Sequence, residues 1–458
     1  ISNASLSHRN QKPQTKQTKT KQTKTKTKPN TNTHPMREKF TYRWSVLAGA
    51  VILWMLIMSN SLLNLFSSDG SQSLQGIVNR EITGILDTTS ASVNVNANRS
   101  PAAGYDCVRL DQTTTNPHNN NEPLRVLVTG GAGFVGMHVS LELKNRGHTV
   151  VSYDNMIGYY PVELKHRRVT KLHEADVITV EGDVCDANLL KKTLLEHKID
   201  RIIHLAAQAG VRNSILYPHS YIRNNVDCFI TLLETMVELN LHVDANHLVY
   251  ASSSSVYGNN IHFPFSESDP VDNHASLYAS TKRSDELIAR TYHNLYNLSS
   301  VGLRFFTVYG GWGRPDMAYY IFTDLITRNQ TVKVFNHGKS LRDFTYIDDI
   351  VEGVVGSLYA HWKSGAEVLN LGGHHPVELM TFLNTTQQMV GVKEMRMELV
   401  EMQKGDVPVT YANIDKARCL LGWEPTVGIE EGLRRFSEWF VEEDGGQYRI
   451  VDATKEQK

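Results

Sequence analysis

The chain has 458 residues, of which 41% are hydrophobic, a composition that fits a globular core and a length that suggests two or three segments of domain size. Its formal net charge of −1 hides an asymmetry, because residues 1–43 carry eleven Lys and Arg and only one acidic residue. The rest of the chain therefore carries 36 basic and 47 acidic residues, and this acidic excess argues against nucleic acid as its partner.

The N-terminal part is predicted to be a basic tail followed by a membrane anchor. Residues 1–43 form the tail, and the Lys/Thr/Gln tract over residues 11–28 has the composition of a disordered segment. Residues 44–68 contain no charged side chain, and a helix of that length spans about 37 Å, which exceeds the roughly 30 Å of a bilayer core. We therefore predict a transmembrane anchor over 44–66, with the tail cytosolic and the rest of the chain lumenal, because positive charges stay on the cytosolic side.

Two alternatives concern this N-terminal part. A cleaved signal peptide with residues 46–58 as its apolar region is the rival to an anchor. Met36 is hypothesised to be the true start, with residues 1–35 as untranslated sequence or an extension, and N-terminal sequencing that finds residues before Met36 would contradict this. Residues 67–122, rich in Ser, Asn and Thr, are predicted to be a flexible stem.

A glycine-rich loop follows the first predicted strand, Leu124–Val128. Its spacing is G-x-x-G-x-x-G, which differs from the standard G-x-G-x-x-G of dinucleotide-binding proteins. The physical reason for glycine is the same, because it permits a tight turn and the close approach of a pyrophosphate to a helix N-terminus. The loop therefore predicts a dinucleotide site, whose candidate residues here are Gly130, Gly133, Phe134, Val135 and Gly136.

A carboxylate ends the second predicted strand, Thr149–Tyr153. Asp154 stands at the distance expected for an acid that accepts a hydrogen bond from the ribose 2′-hydroxyl. It would repel a 2′-phosphate, so the sequence favours NAD over NADP as cofactor. Asn155 is a further candidate cofactor residue.

Further apolar runs alternate with helical patterns, which predicts a parallel, doubly wound α/β sheet. These runs are Val177–Val180, Arg201–Leu205, His247–Ala251 and Val301–Phe306. The residues that follow or end them are candidate cofactor contacts: Asp183 and Val184 near the adenine, and Leu205, Ala206 and Ala207, where small residues let a cofactor lie flat.

The pair Tyr278 and Lys282 has the spacing of one helical turn, and the four serines Ser252–Ser255 precede it. Residues four apart on a helix share a face. An ammonium group beside a phenol favours the phenolate, which can remove a proton from a sugar hydroxyl while a nicotinamide takes the hydride. With the upstream dinucleotide loop, this pattern indicates an oxidoreductive reaction at an alcohol.

Cysteine and histidine usage predicts no metal site. The four cysteines are widely spaced and the 19 histidines show no metal-ligand spacing. We expect Cys185 and Cys228 to be small buried residues rather than a bridge.

Over residues 123–440 the chain resembles the extended short-chain dehydrogenase/reductase group, the NAD-dependent epimerases and dehydratases of nucleotide sugars. Within that group it is most similar to the UDP-glucuronate 4-epimerases of the membrane-anchored type. The motifs that carry the resemblance are the glycine loop, Asp154, Asp183-Val184, His204–Ala207 continuing to Arg212, Asn224–Val226, the serine run, Tyr278–Lys282, Phe306–Ala318 and Arg342–Phe344.

The resemblance implies a reversible C4 epimerisation of UDP-glucuronate to UDP-galacturonate through a 4-keto sugar, supplying galacturonate for polysaccharide synthesis. Tyr278, Lys282 and Ser253 are then the catalytic residues, Asn224 joins the cofactor residues above, and NAD is tightly bound. The candidate substrate-binding residues are Ser254, Ser255, Thr307, Arg314 for the glucuronate carboxylate and Arg342 for the diphosphate.

Two other reactions stay open as alternatives. One is 4-epimerisation of UDP-galactose/UDP-glucose or a UDP-pentose, against which Arg314 argues because a neutral sugar needs no guanidinium. The other is decarboxylation of UDP-glucuronate, against which Ser255 argues, because dehydratases and decarboxylases of this group place an acid at that position.

The predicted organisation follows from the same resemblance. Residues 123–300 are the NAD-binding Rossmann domain, 301–445 a smaller nucleotide-sugar-binding part interleaved with it, and 446–458 a C-terminal tail. The resemblance also implies a homodimer and a single-pass type II protein of the Golgi membrane with its catalytic domain in the lumen.

Overall fold

The computed structural model describes residues 123–241, 248–360, 362, 365–403 and 406–449. Within these ranges, no helix combines the length and the apolar character that a bilayer crossing requires. The predicted tail, anchor and stem lie outside the described residues, as does most of the predicted C-terminal tail.

A seven-stranded parallel sheet forms the centre of the described part, in the order β10-β6-β5-β4-β1-β2-β3. Two smaller sheets, β11-β9-β7 and β12-β8, belong to the C-terminal half. All the predicted strands are present, with ends shifted by two residues at most. The strands are β1 (Arg125–Thr129), β2 (Thr149–Asp154), β3 (Ile178–Glu181), β4 (Arg201–His204), β5 (Leu248–Ser253), β6 (Ser300–Phe305), β7 (Thr307–Tyr309), β8 (Val332–Val334), β9 (Leu341–Tyr346), β10 (Ala366–Leu371), β11 (Pro376–Glu378) and β12 (Met397–Leu399).

Helices connect the strands, as parallel strands require. Short 3₁₀ turns cover Ser254–Tyr257 and Phe335–Gly338, and π-helical turns cover Ile222–Asp227 and Phe440–Asp444. The α-helices are α1 (Phe134–Asn145), α2 (Val162–Glu174), α3 (Ala187–Glu196), α4 (Val211–Leu216), α5 (Pro218–Tyr221), α6 (Cys228–Glu238), α7 (Leu277–Tyr296), α8 (Ala318–Thr327), α9 (Ile347–Tyr359), α10 (Leu379–Met389), α11 (Asp415–Leu421) and α12 (Ile429–Trp439).

The order of the strands reverses between β1 and β4, and this reversal leaves a crevice there. After β1 the chain adds β2 and β3 on one side, and then crosses to the other side of β1 to add β4 and β5. Because helices cover both faces, the strands are buried, and Val126, Leu127 and Val128 of β1 have no exposed surface. In open sheets of this kind, ligands bind at the carboxyl ends of the strands where the order reverses.

The sheet also draws on both predicted parts of the catalytic unit. Strands β6 and β10 come from the range predicted to be the smaller part, yet they pair with β5 and with each other in the central sheet. The elements of the smaller C-terminal part therefore start directly from the edge of the central sheet.

Our expectation for Cys185 and Cys228 is wrong, because the two residues form a disulfide. Cys185 follows β3 and Cys228 begins α6. The two residues are 43 positions apart in the sequence, and the strand order brings their Cα atoms to a distance of 4.4 Å. The bond joins the loop that carries Asp183 to the helix that follows Asn224. Sequence spacing alone cannot reveal such a contact.

Candidate functional site

A cavity of about 500 Å³ opens at the carboxyl ends of β1, β2, β4, β5 and β6. Its lining combines the glycine loop, the serine run and the Tyr278–Lys282 pair, which come from distant parts of the sequence. The predicted site residues that line it are Gly130, Gly133, Phe134, Val135, Gly136, Asp154, Asn155, Asp183, Val184, Leu205, Ala206, Ala207, Asn224, Ser253, Ser254, Ser255, Tyr278, Lys282, Thr307 and Arg314.

The glycine loop is shaped for close approach of backbone to ligand. Gly130 has φ of +69°, and a Cβ atom there would lie 2.7 Å from the backbone nitrogen of Ala206. A Cβ atom on Gly136 would lie 2.1 Å from the Gly130 carbonyl oxygen. Only glycine fits at these two positions, so α1 begins directly against the end of β1 and its N-terminal amides face the cavity, as a pyrophosphate requires.

Asp154 holds the loop as well as lining the cavity. Its carboxylate accepts hydrogen bonds from the backbone amides of Ala132 at 3.2 Å and Met156 at 2.9 Å. The ammonium group of Lys165 on α2 lies 2.9 Å away, and both side chains are 8% exposed. Lys165 also lines the cavity. Lys165 was not among the predicted site residues, because it stands eleven positions after Asp154 and no motif marks it.

Hydrogen bonds order the side of the cavity that Asp183 and Asn224 line. Asp183 accepts from the Cys185 amide at 2.9 Å and pairs with the Arg223 guanidinium at 3.0 Å. Asn225 is buried, and its side chain bonds to both backbone groups of Gln208. These contacts position the π-helical turn that carries Asn224.

The serine run occupies the end of β5 and the 3₁₀ turn after it. The hydroxyl of Ser253 accepts from the Ser255 amide at 3.2 Å and lies 3.1 Å from the Ser255 hydroxyl. Ser252 faces the interior instead, and its hydroxyl donates to Glu286 at 2.6 Å. Within Ser252–Ser255 there is no carboxylate, so this edge of the cavity presents hydroxyl groups only.

Helix α7 carries the Tyr278–Lys282 pair because it begins just before it. The Ser276 hydroxyl accepts from the Ala279 amide at 3.2 Å and caps the helix N-terminus. Tyr278 remains partly exposed to the cavity, and its ring meets Tyr221 edge-on at 6.2 Å. Lys282 is 2% exposed, and its ammonium group donates to the Ala251 carbonyl at 2.9 Å.

A buried ion pair joins this helix to strand β6. Arg304 of β6 donates to both oxygens of Glu286, at 2.8 and 2.9 Å, and both side chains are 1% exposed. Burial opposes the charge, yet the Arg304 guanidinium holds the pKa of Glu286 below its usual value. His204 lies nearby, and burial together with Lys282 lowers its pKa to about 3, so its imidazole is neutral.

Arg314 approaches the cavity from the loop between β7 and α8. Its guanidinium forms a two-bond contact with Asp316, at 2.9 and 2.5 Å, and lies 5.2 Å from the ring centre of Tyr159. Burial disfavours its charge, but Asp316 more than offsets this and raises the pKa of Arg314 above its usual value. A guanidinium has five N–H donors, so donors remain for a ligand carboxylate.

Arg342 does not line the cavity in this structure. Its guanidinium donates to Asp406 at 2.7 Å and to the Pro408 carbonyl at 3.1 Å. Asp406 itself is part of the cavity wall. The diphosphate contact of Arg342 therefore stays a prediction.

These parts together fit a dinucleotide at one end of the cavity and an acidic sugar at the other. The glycine cradle leaves no room for a Cβ atom and so exposes backbone amides to a pyrophosphate. A phenol with a buried ammonium group on the same helix face supplies proton transfer. A guanidinium supplies recognition of a carboxylate.

Comparison with known proteins agrees with this geometry. The family profile described as GDP-mannose 4,6 dehydratase matches residues 127–436. UDP-glucuronate 4-epimerase 3 of Arabidopsis thaliana is 46% identical over 330 residues, covering 69% of this chain and 76% of that protein. Protein CapI of Staphylococcus aureus is 41% identical over 339 residues, covering 70% of this chain and 99% of that protein.

A solved structure is also similar to this chain. The crystal structure of UDP-glucuronic acid 4-epimerase from Bacillus cereus, in complex with UDP-glucuronic acid and NAD, matches with a TM-score of 0.64 and 32% sequence identity. The match covers 70% of this chain and 99% of the bacterial one. The residues that match the family profile include every residue that lines the cavity.

Proposed function

Because this chain belongs to the UDP-glucuronate 4-epimerase branch of the nucleotide-sugar epimerases and dehydratases, we propose that it inverts C4 of UDP-glucuronate to give UDP-galacturonate, with NAD as bound cofactor. The observation that carries the proposal is one cavity lined by the glycine loop, Tyr278, Lys282 and Arg314. A dinucleotide, a proton-transfer pair and a carboxylate-binding group are the three things this reaction needs.

Tyr278 acts as the base and then as the acid. It removes the proton from the 4-hydroxyl group, and it returns the proton to the same oxygen once C4 has been inverted. NAD, when bound, supplies the acceptor and donor of the C4 hydride. The Lys282 ammonium favours the ionised phenol. Ser253 lies at the cavity edge, and its hydroxyl, which donates to Ser255 in the structure, turns to donate to the 4-oxygen through both steps.

The 4-keto intermediate is at risk of losing carbon dioxide, because its C6 carboxylate lies β to the ketone. The enzyme must hold the carboxylate so that the bond to C6 stays out of line with the ketone's π system. The remaining donors of Arg314, with the hydroxyls of Thr307 and Ser254, are the groups in the cavity wall that can do this.

The test is to incubate the purified full-length chain in detergent with UDP-glucuronate, without added NAD, and to resolve the products. We expect UDP-galacturonate to form to a plateau without release of carbon dioxide. A UDP-pentose with carbon dioxide would instead indicate a decarboxylase. Turnover of UDP-galactose alone would remove the role of Arg314 and indicate an epimerase of neutral sugars.

We also propose that residues 44–66 anchor the protein in the Golgi membrane with the catalytic part in the lumen. The support is the basic tail in front of an uncharged segment, and the Cys185–Cys228 disulfide, since such bonds persist in oxidising compartments. In sealed Golgi vesicles, the catalytic part should resist added protease until detergent is present. Digestion of intact vesicles, or free thiols at both cysteines in protein isolated without reductant, would contradict this orientation.

A homodimer formed through α6 and α7 is the further part of the proposal. Exposed apolar side chains on these helices support it: Ile230 on α6, and Leu287, Leu295 and Tyr296 on α7. We expect Leu287→Glu/Leu295→Glu to sediment as a monomer. Leu195→Glu on α3, where the native leucine is equally exposed, is the matched control that should leave the mass unchanged.

A further inference from the structure

A second ion pair lies in the interior of α7, one turn beyond Tyr278. The ammonium group of Lys282 is 3.1 Å from the carboxylate of Asp285, and each side chain is 3% exposed. The same ammonium group donates to the Ala251 carbonyl of β5. An ammonium group has three donors, so two of the three are used inside the protein and one is left for the cavity.

Among the residues that the structure describes, Asp285 has no hydrogen-bond partner other than Lys282. Its second carboxylate oxygen is buried and makes no hydrogen bond to any described residue. The neighbouring Glu286 is different, because Arg304, Arg283 and Ser252 all donate to it. A buried ion pair is weak evidence for stability, and this carboxylate keeps one oxygen without a partner, so its contact with the lysine of the reaction points to a role other than stability.

Asp285 is the carboxylate that balances the positive charge of Lys282, because the other charged groups nearby are neutral or paired elsewhere. His204 is neutral, and Glu286 is neutralised by Arg304. Glu234 on α6 bonds to Tyr292, farther along α7. The charged and titratable groups around the pair are His204 on β4, Tyr250 on β5, Arg304 on β6, and Glu286 and Arg290 on α7.

We propose that Asp285 is a positioning residue that fixes the Lys282 ammonium group and, through its negative charge, sets the pH at which Tyr278 loses its proton. Because Tyr278 is the base of the proposed reaction, this role rests on the proposed function. The positive charge of Lys282 favours the phenolate, whereas the negative charge of Asp285 partly cancels the effect of Lys282. The base is therefore influenced by a residue that does not line the cavity.

The size of the effect follows from the helix. Asp285 is about two turns from Tyr278, roughly 10 Å along the axis. At that distance and an effective dielectric constant of about 20, a unit charge shifts the titration of the phenol by about one pH unit. Burial raises the pKa of Asp285 to about 7, with Lys282 opposing the shift, so Asp285 itself changes charge near neutral pH.

The test is a pH titration of tyrosinate absorbance in the near ultraviolet, on the purified, NAD-bound full chain. Subtracting the signal of Tyr278→Phe isolates Tyr278. We expect Asp285→Asn, which keeps the shape and an acceptor for Lys282, to lower the Tyr278 midpoint by about one pH unit. The acid limb of kcat should move by the same amount. An unmoved midpoint, or a rise because Lys282 loses its proton, would overturn the proposal.

Three variants guard the result. Asp285→Ser is a second uncharged variant, to be used if the asparagine variant does not fold. Asp285→Glu keeps the charge and should keep the midpoint. Asp324→Asn removes a buried carboxylate from α8, where it pairs with Arg328, and should change stability without moving the midpoint.

The titration needs no substrate. A chain that fails to convert UDP-glucuronate but shows the shifted midpoint would reject the proposed function and keep the role of Asp285. If the chain converts UDP-glucuronate but the Tyr278 midpoint does not move in Asp285→Asn, the proposed function stands and the role of Asp285 is rejected.

Discussion

Replacing Tyr278 with phenylalanine should lower kcat for epimerisation by about 10³-fold, the usual contribution of a positioned acid or base. The change removes only the hydroxyl group, and the ring keeps its edge-on contact with Tyr221. Lys282 keeps its bonds to Ala251 and Asp285, since neither involves the phenol. We therefore expect the NAD content of the purified variant to stay close to that of the parent chain.

The matched control is Tyr292→Phe on the same helix. Its hydroxyl donates to Glu234 and lies outside the cavity wall, so losing it should affect stability more than turnover. Measuring kcat and the NAD released on denaturation, for both variants, separates the two effects. If Tyr278→Phe retained more than about a tenth of the parent kcat, another group would have to be the base.

Replacing Arg314 with leucine should lower kcat/KM for UDP-glucuronate by about 10²-fold or more, because charge-assisted hydrogen bonds to a carboxylate are lost. The loss should be much smaller for UDP-galactose, which has no carboxylate at C6. Carbon dioxide release should also become measurable, since the carboxylate of the 4-keto intermediate is no longer held. Product analysis with both substrates checks each part of this expectation.

The control addresses Asp316, which Arg314→Leu would leave without its partner. The double variant Arg314→Leu/Asp316→Asn removes the stranded charge and should show the same loss with UDP-glucuronate. Recovery of activity in the double variant would mean that Asp316, and not the missing guanidinium, caused the defect. Equal losses for both sugars would likewise argue against carboxylate recognition by Arg314.

Much of the fold and the site can be predicted from the sequence because the signals are local. Alternating apolar runs predict β1 to β6, and the glycine loop, Asp154 and the Tyr278–Lys282 pair each lie at the end of a strand or on one helical face. In a parallel sheet the carboxyl ends of the strands meet at one edge, so residues that follow different strands converge without further information.

The contacts between charged residues could not be predicted in the same way. Lys165 stands on α2 and meets Asp154 of β2, and Arg342 meets Asp406 across 64 positions. These partners depend on how helices and loops pack on the sheet, which local patterns do not encode. For the same reason the contact of Arg342 with Asp406 was not foreseen, and the diphosphate contact of Arg342 stays a prediction.

By itself the sequence determined the parallel sheet, the dinucleotide loop and the proton-transfer pair, because each depends on residues close together in the chain. The reaction class was implied by the resemblance of these motifs to a known family. Only the tertiary structure decided which cysteine and charged side chains are paired with each other. It joined Cys185 to Cys228, set Asp316 on Arg314, and buried Asp285 against Lys282. The spacing of Lys282 and Asp285 places them on one helix, but only packing against β5 removes water from them. Without water the local dielectric constant is lower, so each charge acts over a longer distance.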